Sequence, residues 1–267
     1  MKYVEPEKND QLDLVNMLNK GLERRGKMQR RSKMWASSAG LCVRRNTLQA
    51  DEIVETIADN TDSVRHMYQE VGKSFESEII RSFNNLGKLR AADYYMPKID
   101  LDISGKIDFI IEHDNELVGI EVKTRGQDLK VKESDLRQAQ IYHVVTGIPF
   151  YVLIQDRNVQ KYGRFGLNSR AIKIEMDRDD KLDLAYSLYL SEWLIKRNLV
   201  MPLNVNYVKY DSKTCENCPF YDICPKYRLN DKVENGDWAG EIEPLAQNFI
   251  DKIEERKQLI YKDLIRG

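Results

Sequence analysis

GKIDFIIEHDNELVGIEVKTRG, residues 105–126, decides the fold. Two runs of alternating apolar and polar residues flank His113-Asp114-Asn115-Glu116, and a two-residue turn on Asp114-Asn115 closes them into a hairpin. In that register residue 112 opposes 117, and Asp108 falls opposite Glu121. Directly opposed residues have Cβ atoms only ~4.5–5.5 Å apart, and two like charges there destabilise a sheet. A compensating divalent cation resolves the conflict. Lys123 lies two residues past Glu121, on the same face and roughly 6–7 Å along the strand. Val118, Ile120 and Val122 take the opposite face and feed the core. Two carboxylates suit Mg²⁺ or Mn²⁺, which polarise a phosphoryl oxygen and acidify a bound water while an ammonium steadies the developing charge. Such a set is chemically suited to phosphodiester hydrolysis. Taken alone, the same residues also suit two strands with polar outer faces and a surface Glu121–Lys123 ion pair.

Outward from the hairpin, residues 62–86 place Val64, Met67, Val71, Phe75, Ile79 and Phe83 on one helical stripe. Short β-prone runs (AADYYM, KIDFIIE, LVGIEVK) fill 89–124. A helix is expected over about 132–146, a buried strand at IPFYVLIQ, and a helix near 180–198 carrying Leu182, Leu184, Leu188, Leu190 and Leu194. A polar helix is expected near 244–265. This order predicts an α/β fold with a core of mixed sheet flanked by helices.

The chain has 267 residues, 42% hydrophobic and 32% charged, which excludes a disordered or fibrous class. No apolar run approaches the ~20 residues that span a bilayer, and MKYVEPEKNDQL lacks a signal peptide's apolar stretch. A cytoplasmic location is expected, or a host's cytoplasm if the protein is viral. The net charge of −1 hides a basic block of Lys20, Arg24, Arg25, Lys27, Arg30, Arg31 and Lys33 against Glu23 alone. Such a block suits phosphate neutralisation and equally an ordinary solvated arm.

The four cysteines are Cys42, Cys215, Cys218 and Cys224. A Cys-x₂-Cys followed by a third Cys five residues on is metal-ligand spacing, and a reducing cytosol disfavours disulfides. Four thiolates suit either Zn²⁺ or a [4Fe–4S] cluster, and spacing does not choose between them.

Asp108, Glu121 and Lys123 resemble the motif of the PD-(D/E)xK nuclease superfamily. The RecB-like branch is marked by Gln-x-x-x-Tyr on the next helix, here Gln138 and Tyr142 on one helical face. The resemblance implies a restriction-endonuclease-like core in which Gln138 and Tyr142 orient the lysine and the DNA. It implies metal positions at Glu76, Asp108, Glu121 and Val122. Glu76, four residues after Gly72, stands where that branch often has a histidine; Glu78 is a weaker substitute and His66 lies too far upstream. A lone Cys before the core, followed by Arg44-Arg45, and a triplet after it are similar to the iron–sulfur RecB-like nucleases, which include CRISPR-adaptation exonucleases and AddAB-type nuclease domains. That implies a [4Fe–4S] cluster on Cys42, Cys215, Cys218 and Cys224, stapling the N- and C-terminal flanks.

The resulting expectation is a metal-dependent DNA exonuclease acting on single-stranded or free DNA ends. A restriction-like endonuclease, a catalytically idle DNA-binding subunit and a zinc-stapled interaction module are the rivals. Residues 1–35 form a basic arm, 36–228 the nuclease core and 229–267 a C-terminal helical extension. The chain carries no P-loop of the Gly-Lys-Ser/Thr type, so a helicase or other recombination or replication partner is a separate protein.

Overall fold

The computed structural model describes residues 24–27, 33–40, 42–50, 58–61, 63–125, 129–156, 169–197, 199, 218, 220, 224 and 238–265. Near the N-terminus β1 (Arg24–Lys27) pairs antiparallel with β3 (Ala58–Thr61). β2 (Met34–Trp35) runs parallel to β5 (Ile103–Ser104) and leads into α1 (Ala36–Ala39) and α2 (Val43–Ala50). Met34 is part of the main core, so the last residues of the expected arm are docked. Lys33 of the basic block pairs with Asp102 at 3.1 Å. Residues 1–23 and 28–32, among them Lys20, Arg30 and Arg31, lie outside the described residues.

The central sheet has the order β4-β6-β7-β8-β9, built from β4 (Leu89–Tyr95), β6 (Lys106–His113), β7 (Glu116–Arg125), β8 (Phe150–Asp156) and β9 (Ser169–Lys173). Only β7 and β8 are parallel, so the sheet is mixed, as the sequence predicts. The β6–β7 hairpin has the predicted register, with Glu112 opposite Leu117 and His113 opposite Glu116. Asp114 and Asn115 take φ of 50° and 65°, the left-handed pair that a type I′ turn demands and that short polar side chains tolerate.

The two sheet faces are covered differently. α3 (Ser63–Asn85) lies on one, where Ile79 packs with Phe109, Ile111, Val118, Ile120 and Val122. Phe75 is buried and Phe83 partly so, but Val71 is 40% exposed and drops out of the expected stripe. The side chains of Val64 and Met67 lie outside the described residues. The other face carries α4 (Glu133–Thr146), α5 (Arg178–Lys196), α6 (Ala239–Asp251) and α7 (Ile253–Ile265) around the larger core. Leu184, Leu188, Leu190 and Leu194 are buried there, with Leu182 packed at the edge.

Three features depart from the sequence reading. The C-terminal stretch is two helices divided at Lys252, and Ile242, Ala246, Phe249, Ile250 and Ile260 bury against the core. Arg256 in α7 donates to the carbonyls of Val144 and Val145, both at 2.9 Å, and so caps the end of α4. Strand β9 has one half-buried apolar residue, Ile172, and hence no alternation to read. Helix α2 looks polar, yet Arg44, Asn46, Thr47 and Gln49 are all buried.

Candidate active site

The ladder of the hairpin ends at Phe109 opposite Ile120, one step short of Asp108 and Glu121. There the Asp108 side chain takes over, its Oδ2 accepting the Val122 N–H at 2.6 Å. The Val122 side chain faces α3, so this residue meets the site through its backbone. Glu121 is 1% exposed. Its Oε1 accepts from Lys123 Nζ, while Oε2 is buried without a hydrogen-bond partner. An orphaned oxygen on a buried carboxylate is expensive, since charge has left water and gained nothing there. Burial pushes the Glu121 carboxyl up to about 8, and the neighbouring Asp108 adds to the rise. Asp108 is itself raised by burial against the pull of Lys123 and the Val122 N–H.

The third acid comes from α3. Glu76 is half-buried and raised to about 7, first by burial and then by the charges of Asp108 and Asp93. A Cβ at Gly72, one turn before Glu76, would stand only 3.3 Å from Thr124 Oγ1. The glycine therefore allows α3 its close approach to β7. Glu78 instead pairs with Arg81 at 2.7 Å on the surface. The side chain of His66 lies outside the described residues.

Lys123 is held from the opposite side. Its Nζ donates to Glu121 and to Gln138 Oε1, the latter at 3.3 Å. Gln138 Nε2 donates to Tyr142 Oη at 3.0 Å, and the Tyr142 hydroxyl donates to the Lys106 carbonyl at 2.9 Å. Tyr142 is 1% exposed, and a Cβ at Gly105 would come within 2.8 Å of its ring, so the glycine makes room for it. Burial pulls Lys123 toward the neutral form, but Glu121 and Asp108 outweigh it and keep the ammonium charged. Sequence reasoning missed one further pair: Arg125 donates to Asp135 at the start of α4. Asp135 also accepts the Lys132 N–H at 3.0 Å.

Among the described residues, no three His, Cys, Asp or Glu side chains are spaced to hold a metal ion as they stand. The donor chemistry nevertheless fits a hard divalent cation. The charge of Asp108 raises both Glu76 and Glu121, Glu121 offers an unpartnered oxygen, and oxygen donors are what Mg²⁺ and Mn²⁺ select.

The cysteines form a second neighbourhood. Cys42 precedes α2 and accepts the N–H groups of Arg45 and Arg44, but burial raises its thiol, with Cys218 and Cys224 adding to the rise. Arg44, 1% exposed, reaches across the fold to Cys224, its Nε 3.2 Å from Sγ and its Nη2 2.8 Å from the carbonyl oxygen. Cys218 and Cys224 thus lie close enough to Cys42 for their charges to act on its thiol. Cys215 lies outside the described residues.

Fold and site together define a mixed α/β protein with a carboxylate–lysine centre where its hairpin meets two helices. The chain belongs to the PD-(D/E)XK nuclease superfamily, whose sequence model matches residues 2–225. No curated protein matches it by sequence. Solved structures similar to it include SSO0001, at 17% identity and TM-score 0.44, over 81% of this chain and 96% of that one. Another is an alkaline exonuclease (LHK-Exo) from Laribacter hongkongensis, at 15% identity and TM-score 0.46, over 63% of this chain and 90% of that one. The same exonuclease in complex with dAMP aligns at 12% identity and TM-score 0.43, over 62% and 89%. Among the described residues no helix is long and apolar enough to cross a membrane.

Proposed function

We propose that the chain is a divalent-metal-dependent deoxyribonuclease that hydrolyses phosphodiester bonds from single-stranded or free DNA ends. The observation that carries this reading is the buried Glu121, with one oxygen on Lys123 and the other unpartnered. Asp108, Glu121 and Glu76 would hold Mg²⁺ or Mn²⁺, with Val122 contributing from the backbone. When bound, the ion supplies Lewis-acid polarisation of the phosphate and an acidified water. Lys123 steadies the attacking water and the charge gathering on the phosphoryl oxygens. Gln138 and Tyr142 fix the ammonium, so little reorganisation is needed at the moment of reaction. The basic block before residue 34 guides the DNA backbone toward the site.

At the cysteines we propose a [4Fe–4S] cluster, with Zn²⁺ as the competing occupant. Support comes from the shared neighbourhood of Cys42, Cys218 and Cys224 and from Arg44, whose charge suits a thiolate-rich centre. The cluster would be structural, closing a loop from Cys42 to Cys215. Any motor that feeds DNA to the site would be a separate helicase or recombination protein, acting in the cytoplasm.

The test is cleavage of end-labelled linear DNA against covalently closed single-stranded circles, with Mg²⁺, Mn²⁺ or EDTA. Metal-dependent loss of linear DNA with circles spared is expected. Rapid cutting of closed circles would favour an endonuclease instead.

A further inference from the structure

Arg125 is a strongly paired side chain near the lysine that the proposed chemistry leaves idle. It stands two residues beyond Lys123 on β7, and alternation puts Glu121, Lys123 and Arg125 on one face of the strand. Opposite them, Asp135, Gln138 and Tyr142 follow at i, i+3 and i+7 along α4, which is one face of a helix. The two series meet rung by rung. Arg125 donates to Asp135, Lys123 donates to Gln138, and Gln138 passes the contact on to Tyr142. Both members of the first rung are well buried, with side chains 20% and 7% exposed.

Arg125 is also fixed from its own side, through Nη1 on the Thr124 carbonyl at 3.0 Å. Asp135 is fixed by the Lys132 N–H. The pair thus ties the first turn of α4 to the end of β7 at a defined rotation of the helix. Gln138 lies one turn later, so that rotation decides whether its Oε1 points at Lys123. The Gln138–Lys123 contact, at 3.3 Å, is long and depends on such support.

We propose that Arg125 and Asp135 are positioning residues: their ion pair sets the rotational phase of α4 and thereby aims Gln138 at Lys123. The hydrogen bonds of the pair run to Thr124, Lys132 and each other, and not to Asp108, Glu121 or Glu76. The charge of Asp135 also bears on Lys123 directly, but the aim of Gln138 is set through the helix, and this inference rests on the nuclease reading for its kinetic expression.

A double-mutant cycle tests it, using Asp135→Asn and Gln138→Ala with the full chain, Mn²⁺ and linear DNA. If Asp135 works through Gln138, each single change lowers kcat by about tenfold or more, and the double variant is little worse than either. KM and Mn²⁺ affinity stay near the parent values. Multiplying losses in the double variant would overturn the proposal, as would a defect confined to KM, which would make Arg125 a DNA-gripping residue. Arg125→Gln attacks the pair from the strand side and should reproduce the Asp135→Asn phenotype if Asp135→Asn folds poorly. A crystal structure of either variant reads the geometry independently of activity. Gln138 should leave Lys123, and an unchanged contact would overturn the proposal. A parent protein that cuts no DNA would refute the nuclease reading, while the variant structures would still decide whether the pair aims Gln138.

Discussion

Replacing Glu121 by Gln should stabilise the metal-free protein at alkaline pH and do nothing comparable at acid pH. The carboxyl moves from 4.5 in the unfolded chain to about 8 in the folded one, chiefly by burial. Between those values the folded state holds a proton that the unfolded state has released, so stability falls as pH rises through this window. The stabilisation is fully present below 4.5 and is lost once pH passes about 8. Each pH unit is worth about 1.4 kcal/mol, so ionising this buried group costs roughly 4–5 kcal/mol by the upper end. That shift is already net of the pull of Lys123, and Gln keeps an acceptor for its ammonium. The gain at pH 8 is therefore a few kcal/mol at most, and at about 2–4 °C per kcal/mol it is read as a rise of several degrees in Tm. Thermal melts of parent and Glu121→Gln in EDTA, from pH 4 to 9, measure it. Adding Mn²⁺ at pH 8 should raise the parent's Tm far more than the variant's. If the gap between the two proteins in EDTA is the same at pH 4 and pH 8, Glu121 does not carry an uncompensated buried charge and the metal argument loses its basis.

Further outcomes follow from the same geometry. Asp108→Ala should abolish cleavage with the fold intact, because it relieves like-charge repulsion while removing a metal ligand; normal turnover would refute the assignment. Lys123→Ala should cost kcat far more than Mn²⁺ affinity, as measured by single-turnover kinetics and calorimetry. Deleting residues 1–33 should weaken DNA binding and flatten its dependence on salt, since fewer phosphate contacts release fewer counterions. Protein purified without oxygen should be brown with about four irons per chain, and EDTA should stop cleavage without bleaching it. One zinc and no iron would replace the cluster by a zinc staple. Cys42→Ala should lower stability by a few kcal/mol, because a cross-link of so long a loop is worth about 4–5 kcal/mol in the chain-entropy model.

The hairpin was legible because its information is local. Alternation, a two-residue turn and a register with period two place Asp108 against Glu121 without knowledge of the rest of the chain, and the structure has that register. Gln138 and Tyr142 were legible as a spacing, but their hydrogen bonds to Lys123 and Lys106 depend on how α4 docks. The Arg125–Asp135 pair was not legible, since ten residues and a chain reversal separate its members. Arg44 was noticed beside Cys42, but its reach to Cys224 spans 180 residues and leaves no local pattern. Helix α2 was missed for a related reason. Two of its buried polar side chains, Arg44 on Cys224 and Asn46 on the Ala39 carbonyl and Ser191 Oγ, find tertiary partners rather than being announced by an apolar stripe.

The most direct measurement of the central claim is the time course of 5′- and 3′-end-labelled linear single-stranded DNA incubated with the purified full chain. The parent should degrade it with Mn²⁺ or Mg²⁺ and not in EDTA, while Asp108→Ala and Lys123→Ala, folded by thermal melt, should leave it intact. Equal degradation by the parent and both variants, or cleavage that persists in EDTA, would contradict the assignment of hydrolysis to the Asp108–Glu121–Lys123 centre.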